Sequence, residues 1–265
     1  MIRRPRKRLL ALGLAASAAA CLTLWALNPH RKVPLRKVFS PTQWVLHWQG
    51  RDHYDPRQAL LQEGDPSRRE VAFTFDDGPD PRYGPEIAHI LKEKNVPATF
   101  FLVGMRVKEH PEVARLLAHD GFELANHTYN HQNLPALKPR EIARELRLCD
   151  ADIFAATGLH TTLMRPPGVQ YNDKVLDVAK SLGYVTVSWT VGARDYETDV
   201  TSDFIKDRVL DRATPGSIIL LHQDTPATAI ALPAIIDSLR AQGYAFVTVS
   251  QMLNHLGVGR VKQAP

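Results

Sequence analysis

From about Glu70 onward the sequence alternates short apolar runs with amphipathic stretches, and this alternation limits the fold more than any other feature. Seven apolar runs rich in β-branched and aromatic residues predict buried strands: Val71–Phe75, Ala98–Val103, Phe122–Ala125, Leu163–Met164, Tyr184–Ser188, Ser217–Leu221 and Ala245–Val249. Six stretches with helical spacing predict helices: Tyr83–Asn95, Pro111–His119, Pro139–Thr157, Asn172–Leu182, Ser202–Arg212 and Thr228–Gln242. Strands separated by helices imply a parallel sheet, most simply an α/β fold with a distorted or incomplete (β/α)7 barrel.

The amino terminus is set apart by its charge and hydropathy. Residues 1–37 contain nine Lys and Arg and no acidic residue, whereas the whole chain has a net charge of +5, so the remainder is net acidic. This distribution gives no support to nucleic-acid binding by the globular part. Residues 9–27 carry no charge, and crossing a bilayer takes about 20 residues. With a basic cytoplasmic head at 1–8, they predict a transmembrane signal anchor and a single-pass protein of the cytoplasmic membrane.

Other interpretations of this terminus stay open. Small residues at 18–20 would suit a signal peptidase, which would release a secreted protein, although apolar residues 22–27 follow at once. The same apolar run argues against a lipoprotein at Cys21. Basic residues also flank the far side of the segment, at positions 31, 32, 36 and 37, so a domain left in the cytoplasm is the contrary possibility.

The rest of the chain divides into three parts. Residues 28–69 have no sustained periodicity and predict a linker and lead-in, with Trp44, Leu46 and Trp48 as a candidate short strand. Residues 70–258 form the predicted folded domain, and 259–265 a tail. Of the two cysteines, Cys149 lies on the apolar face of a predicted helix, where it is expected to be core, so no disulfide within the domain is expected.

Two adjacent carboxylates end the first predicted strand. Asp76 and Asp77 are followed directly by Gly78 and Pro79, which force a turn. Neighbouring carboxylates at a strand end repel each other unless a positive group joins them, and a divalent metal is the usual solution. An ordinary acidic turn or helix N-cap is the competing interpretation, so partners elsewhere must decide.

Two histidines supply such partners. His127 and His131 follow the third strand with a spacing of four, which lets both imidazoles hold one ion, although chance also produces this spacing. With Asp77 they would form a His₂Asp set that leaves a position open for water, as in catalytic metal sites. Zinc fits these ligands best, and cobalt or nickel would also be accepted.

Further polar residues follow the remaining strands. Asp76 is placed to act as a general base beside the ligand Asp77, and Arg165 could hold Asp76 ionised and oriented. His222 ends an apolar strand and is a candidate acid for a leaving amine, with Asp195 as its partner. Arg165 also has a purely structural interpretation, as a surface arginine before a rigid turn, and so does His222, as a hydrogen-bonded core histidine.

Five motifs in order resemble the polysaccharide deacetylases, the NodB homology domain of carbohydrate esterase family four. The resemblance covers about residues 70–256, and its motifs are Thr74–Pro79, His127–His131, Arg165–Gly168, Trp189–Tyr196 and Ile218–His222. It implies a barrel of the deacetylase type, with Asp76 as base, Asp77, His127 and His131 as metal ligands, and His222 as acid. It also implies that Arg165 braces the base, that Asp195 supports the acid and that Leu220 lines an acetyl pocket.

The motifs depart from the family pattern at three positions. Gly168 stands where the family often has an aromatic ring that forms one wall of the sugar groove, Gly192 where it usually has an acid, and Tyr196 where it usually has Trp. We expect Pro167, Gly168 and Tyr196 to line the substrate groove, with Tyr171 as a substitute for the missing ring. These changes affect the fit of the substrate more than the chemistry, because the ligand, base and acid positions are all filled.

The resemblance implies hydrolysis of N-acetyl groups on hexosamine residues by a metal-activated water. The expected substrate is peptidoglycan or a chitin-like or poly-N-acetylglucosamine glycan, reached from the extracytoplasmic side, with no nucleic acid and no protein partner. Two alternatives remain at this point: the same site acting on a small amide or O-acetyl ester, and a glycan-binding protein without activity.

Overall fold

The computed structural model describes residues 53–258. The predicted head, anchor and tail, the candidate strand at 44–48 and Cys21 lie outside these residues. Within residues 53–258 no helix is both long and apolar enough to cross a bilayer.

The core of the fold is a twisted sheet that runs β1-β2-β7-β6-β5-β4-β3-β9-β8, with β10 added beside the start of β3. In chain order its strands are β1 Tyr54–Asp55, β2 Leu60–Leu61, β3 Glu70–Gly78, β4 Ala98–Leu102, β5 Glu123–Asn126, β6 Leu163–Met164, β7 Val185–Val187, β8 Val191–Gly192, β9 Ser217–His222 and β10 Ala245–Phe246. All pairs are parallel except β1 with β2. Among the described strands β8 does not pair with β1, so the sheet is a half-barrel, as the prediction of an incomplete barrel required.

Helices connect the strands and cover the outside of the sheet. They are α1 Gly84–Glu93, α2 Gly104–Glu109, α3 Pro111–His119, α4 Pro139–Thr157, α5 Asp173–Ser181, α6 Ser202–Arg212, α7 Pro226–Ala241 and α8 Val249–His255. All six predicted helices are present within a few residues of their expected ends. Several begin with Pro in the first turn, where its missing N–H costs no hydrogen bond.

Alternate residues of the central strand point into different layers. Phe73 and Phe75 belong to the cluster that packs the sheet against the helices, where Phe75 stacks on Phe100 at 5.0 Å between ring centroids. Ala72 lies in a second cluster with Phe101, inside the half-barrel. Because the strand has a period of two, Thr74 and Asp76 share the inner face with Ala72, which directs the carboxylate of Asp76 into the mouth of the half-barrel.

Three parts of the secondary structure differ from the prediction. The run Ala245–Val249 is a strand only to Phe246, because Thr248 and Gln251 form a capping box that starts α8 at Val249. Residues 54–61, placed by the sequence in the lead-in, form β1 and β2, and β2 extends the sheet beside β7. The short elements α2 and β8 were not predicted, because two to six residues are too few for a periodic pattern.

Candidate active site

The carboxyl ends of the strands bring the predicted polar residues to one edge of the sheet. Asp76 on β3 lies directly beside His222 on β9 in the strand register. Asn126 at the end of β5 pairs with Met164 on β6, so His127 and Arg165 follow neighbouring strands. Parallel strands end together, and residues far apart in sequence therefore meet here.

Asp77, His127 and His131 converge on one point. Asp77 Oδ1 lies 3.3 Å from His127 Nε2 and 3.0 Å from His131 Nε2, so one ligand atom from each residue faces the same small volume. His127 is buried, whereas the side chain of His131 is 43% exposed, which leaves the point open toward solvent. Two imidazoles and a carboxylate around an accessible point are a donor set suited to zinc and similar ions.

The hydrogen bonding of His127 shows that this donor set fits a cation. Its Nδ1 lies 2.8 Å from the carbonyl oxygen of Arg165, which can only accept, so Nδ1 carries a proton and Nε2 is the nitrogen directed at Asp77. Asp77 Oδ1 is itself buried without a hydrogen-bond donor. A metal ion between the carboxylate oxygen and Nε2 would satisfy both, and a histidine ligand with its other nitrogen fixed by a carbonyl is the usual arrangement.

The pKa values of these residues reflect the same need for positive charge. Burial opposes the ionised form of Asp77, but the imidazoles of His127 and His131 directly beside it hold the pKa of its carboxyl well below the usual range. The neighbouring carboxylate of Asp77 in turn raises the pKa of His131 against a smaller effect of burial. A proton on His131 partly meets the demand for positive charge, and a metal ion would take its place.

The backbone is unusual in the two loops that carry the candidate ligands, one at Asp77 and the other at residues 127–131, the histidine-bearing loop. Asp77, Thr128 and His131 have φ angles of 64°, 67° and 53°, in the left-handed region that residues with a side chain rarely adopt. Buried Glu145 on α4 accepts hydrogen bonds from the backbone N–H groups of Tyr129 at 3.1 Å and of its neighbour at 2.7 Å. The surrounding structure thus holds the histidine-bearing loop in a strained conformation, as is common at functional sites.

Arg165 binds Asp76 inside the half-barrel. Its Nη1 donates to Asp76 Oδ1 at 2.7 Å and to Thr74 Oγ1 at 2.8 Å, and its Nη2 donates to the carbonyl of Ser188 at 2.9 Å. The guanidinium is fully buried and lies 4.2 Å from the centroid of the Phe101 ring. Burial lowers the pKa of Arg165 while Asp76 opposes that shift. The predicted brace is therefore present and fixes one oxygen of Asp76, leaving Oδ2 3.8 Å from His127 Nε2.

Asp195 binds His222 in the same way at the end of the neighbouring strand β9. Its Oδ1 lies 2.7 Å from His222 Nδ1, and its Oδ2 accepts from the backbone N–H of His222 and from the hydroxyl of Thr228. Burial alone would lower the pKa of His222, but the hydrogen bond and charge of Asp195, with smaller contributions from Asp76 and Asp77, raise it to about 9. The imidazole is therefore protonated at neutral pH, with Nε2 free to donate.

Comparisons with known proteins agree with this arrangement. The family model described as polysaccharide deacetylase matches residues 63–187. The chain is 34% identical over 210 residues to a peptidoglycan-N-acetylglucosamine deacetylase of Bacillus cereus, which covers 77% of this chain and 98% of that protein. The chain belongs to the polysaccharide deacetylase family. The resemblance seen in its five motifs is thereby confirmed.

Solved structures of the family have the same fold. One is a peptidoglycan N-acetylglucosamine deacetylase, with a TM-score of 0.72 and 32% identity over 81% of this chain and 97% of that chain. Another is a carbohydrate esterase family four pseudoenzyme from Bacillus anthracis, with a TM-score of 0.71 and 32% identity over 74% of this chain and 69% of that chain. Membership of the polysaccharide deacetylase family therefore leaves activity to be argued from the site itself.

The residues that the resemblance implies as substrate contacts differ in their exposure and in their neighbours. Tyr196 is 65% exposed, and its ring meets His222 edge-on at 5.3 Å between centroids. Leu220 lies on β9 two residues before His222 and is 8% exposed, and Pro167 is buried. Tyr171 packs against an apolar cluster with Leu134 and Ile142 among its members. Its use as the missing aromatic wall stays a prediction.

Gly168 and Gly192, the two glycines that depart from the family pattern, have different surroundings. Gly168 has a φ of 58°, in the left-handed region, with the side chain of Gln170 beside it. At Gly192 an added Cβ would lie 3.3 Å from the ring of Trp189, which is 38% exposed. The indole therefore occupies the space that a side chain at position 192 would take in this member of the family.

Two supporting residues were missed by the sequence analysis. Glu145, which holds the histidine-bearing loop, lies on the apolar face of α4, and an acidic residue on such a face was a usable signal. Arg106 on α2 donates to the carbonyl oxygen of Asp77 and to Asp224. Its distance in sequence from both partners left no local signal.

Proposed function

We propose that this protein is a metal-dependent deacetylase that removes N-acetyl groups from N-acetylhexosamine residues of a polysaccharide. Peptidoglycan glycan strands are the first candidate substrate, because the relative from Bacillus cereus and the solved deacetylase are named for that activity. A chitin-like or poly-N-acetylglucosamine chain is the alternative. The observation that carries the proposal is that an arginine-held carboxylate and an aspartate-held imidazolium lie on neighbouring strands beside the Asp77, His127 and His131 set.

The metal ion would be bound by Asp77, His127 and His131, with zinc as the first candidate and cobalt or nickel as alternatives. When bound, it would polarise the acetamide carbonyl and make a nearby water more acidic. Because one oxygen of Asp76 is fixed by Arg165, the other is free to accept a proton as that water attacks the carbonyl carbon.

His222 would protonate the departing amine. Breaking the carbon–nitrogen bond of the tetrahedral intermediate releases a poor leaving group unless the nitrogen is protonated as it leaves. Asp195 fixes Nδ1 of His222, so the proton on Nε2 is the one left for the departing nitrogen. Transfer of this proton to nitrogen gives acetic acid, which ionises to acetate, and a free hexosamine amine. Return of the proton held by Asp76 to His222 restores both groups.

The groups that would surround the acetyl methyl are apolar or aromatic. Leu220 precedes His222 by two residues on the same inner face of β9, and Tyr196 stands against the imidazole. Apolar side chains packed beside the acid would favour an acetyl group over larger acyl groups, because each added methylene needs space that packed side chains do not give.

The experiment is acetate release from a panel of defined substrates by the full chain, with and without chelator and with metals added back. The panel contains peptidoglycan fragments, N-acetylglucosamine oligomers, a simple acetamide and an O-acetyl ester. Release from the oligosaccharides but not from the small compounds supports the proposal. Release only from the small amide or ester favours a different substrate class, and no release from any substrate with metal bound favours a glycan-binding role, as the existence of a pseudoenzyme in the family allows.

Two variants separate binding of the metal from turnover. Asp76→Asn keeps the three ligands, so we expect it to bind zinc like the wild type and to lose at least about 100-fold in kcat, as expected for removal of a general base. His127→Ala removes a ligand, so we expect it to lose the metal as well as the activity. Equal turnover by Asp76→Asn and wild type contradicts the mechanism.

The location of the enzyme is a separate proposal. We infer from the basic residues 1–8 and uncharged residues 9–27 that the domain is anchored to the cytoplasmic membrane and acts on its outer side, with secretion after cleavage as the alternative. Fractionation of cells, followed by protease treatment of intact cells or spheroplasts, tests it. A full-length protein in the membrane fraction that is cleaved from outside supports the anchor.

A further inference from the structure

The short helix α2 contacts both loops that carry the proposed metal ligands. The backbone N–H groups of Gly104 and Met105 donate to the carbonyl oxygens of Thr128 and Tyr129, each at 3.0 Å. Its packing against α4 is close, since a Cβ at Gly104 would lie 2.8 Å from the Cα of Cys149. The helix is therefore held firmly at the histidine-bearing loop.

Arg106 extends this contact to the loop that carries Asp77 and to the loop that follows His222. Its Nη1 donates to the carbonyl oxygen of Asp77, and it bonds Asp224 Oδ2 at 3.0 Å, two residues after His222. The side chains of Arg106 and Asp224 are 38% and 34% exposed, so the pair lies at the rim of the site. One guanidinium thus joins a metal ligand to the loop that carries the acid.

The bond to Asp77 acts at a strained position. Asp77 has a φ of 64°, and only its surroundings can hold it there. The carbonyl of Asp77 is fixed by Arg106, whereas its carboxylate must reach two imidazoles. Turning this peptide would move the carboxylate away from His127 and His131, so the donor from Arg106 favours the conformation in which all three ligands meet.

The positive charge of Arg106 must also be offset near a cation site. A guanidinium this close to a cation site would repel the cation, and Asp224 offsets that charge through its direct ion pair. The pair thus provides a charge-assisted donor to the Asp77 carbonyl with little net positive charge at the rim.

We infer that Arg106 is a positioning residue that sets the metal affinity of the Asp77, His127 and His131 site, with Asp224 as its charge partner. The inference rests on the metal centre proposed above. It adds to that centre a residue outside the five motifs, on a helix that no sequence pattern indicated.

Competition with a chromophoric chelator, applied to the metal-free full chain in detergent, measures zinc affinity directly and without turnover. We expect Arg106→Ala to weaken zinc binding about 10- to 100-fold, the usual cost of losing a residue that orients a ligand. Arg106→Lys keeps one cationic donor and should recover part of this loss. Asp224→Asn leaves the charge of Arg106 uncompensated and should also weaken binding. Lys108→Ala is the matched control, because it removes a positive charge from an exposed position on the same helix.

The outcomes separate this inference from the proposed metal centre. If the wild type itself binds no zinc, cobalt or nickel, the metal centre is wrong and the inference is wrong with it. If the wild type binds metal and Arg106→Ala binds it within about threefold of wild type, or if Lys108→Ala loses as much, only the role of Arg106 is refuted. Unfolding midpoints of the metal-free variants show whether affinity falls without loss of the fold. Should Arg106→Ala not fold, Arg106→Lys and Asp224→Asn are judged by the same criterion.

Discussion

The ion pair between His222 and Asp195 makes a measurable contribution to stability that depends on pH. The pKa of His222 is raised from an ordinary 6.5 to about 9 in the folded protein, despite burial, by the carboxylate of Asp195. A pKa raised on folding stabilises the folded state fully below the unfolded value, and this contribution is lost as pH rises through the folded value. At about 1.4 kcal/mol per pKa unit, the shift corresponds to roughly 3 kcal/mol.

Asp195→Asn tests this value. The amide keeps the size of the side chain, and its oxygen can still accept from the backbone of His222 and from Thr228, but it cannot stabilise an imidazolium. The perturbation therefore removes charge while leaving most of the geometry. We expect the pKa of His222 to fall toward 6.5, because burial then acts against the proton with only the smaller contributions of Asp76 and Asp77 opposing it.

The assay is urea unfolding of the metal-free protein at pH 6 and pH 9.5, followed by tryptophan fluorescence. The free energy of unfolding of wild type should exceed that of Asp195→Asn by about 3 kcal/mol more at pH 6 than at pH 9.5. Taking the difference between the two proteins cancels other titrating groups, among them His131. Asp177→Asn, the same substitution at an exposed aspartate of α5, is the control and should leave the pH dependence unchanged. A gap that varies by less than about 1 kcal/mol between the two pH values would refute the reasoning.

The same pair sets an expectation for catalysis, and three residues outside the motifs set expectations for stability. In wild type kcat/KM should fall as pH rises above about 9, and in Asp195→Asn the fall should begin below pH 7, as pH profiles will show. Gly216→Ala should cost about 2–4 kcal/mol in urea unfolding, because φ is 84° and the new Cβ would lie 2.7 Å from the Gly64 carbonyl. Gly243→Ala, with φ of 82° but no atom nearer than 3.8 Å, should cost only about 1–2 kcal/mol. Glu145→Ala should cost about 2 kcal/mol and weaken zinc binding, whereas Glu145→Gln, which keeps an acceptor, should lose less of both.

The pairs of Asp76 with Arg165 and of His222 with Asp195 could be predicted because each member follows its own strand. Residues at the ends of parallel strands meet whatever their separation in sequence, so these pairs needed only the order of strands and a chemical reason to pair. The convergence of Asp77 with two histidines followed from the same argument. In each case the side chain that makes the contact is also the one that carries the sequence signal.

The contacts that hold the loops in place could not be predicted from the sequence, because many of them are made to backbone atoms. Arg106 acts on a carbonyl oxygen of Asp77, Glu145 on two backbone N–H groups, and α2 on the carbonyls of the histidine-bearing loop. A backbone group is the same at every residue, so its partner leaves no mark on the sequence at the position it contacts. Strained backbone leaves only a weak mark, since Asp and His enter the left-handed region more often than most residues but still rarely. A relative could therefore keep all five motifs and still differ in metal affinity, because the residues that hold the ligand loops in place lie outside those motifs.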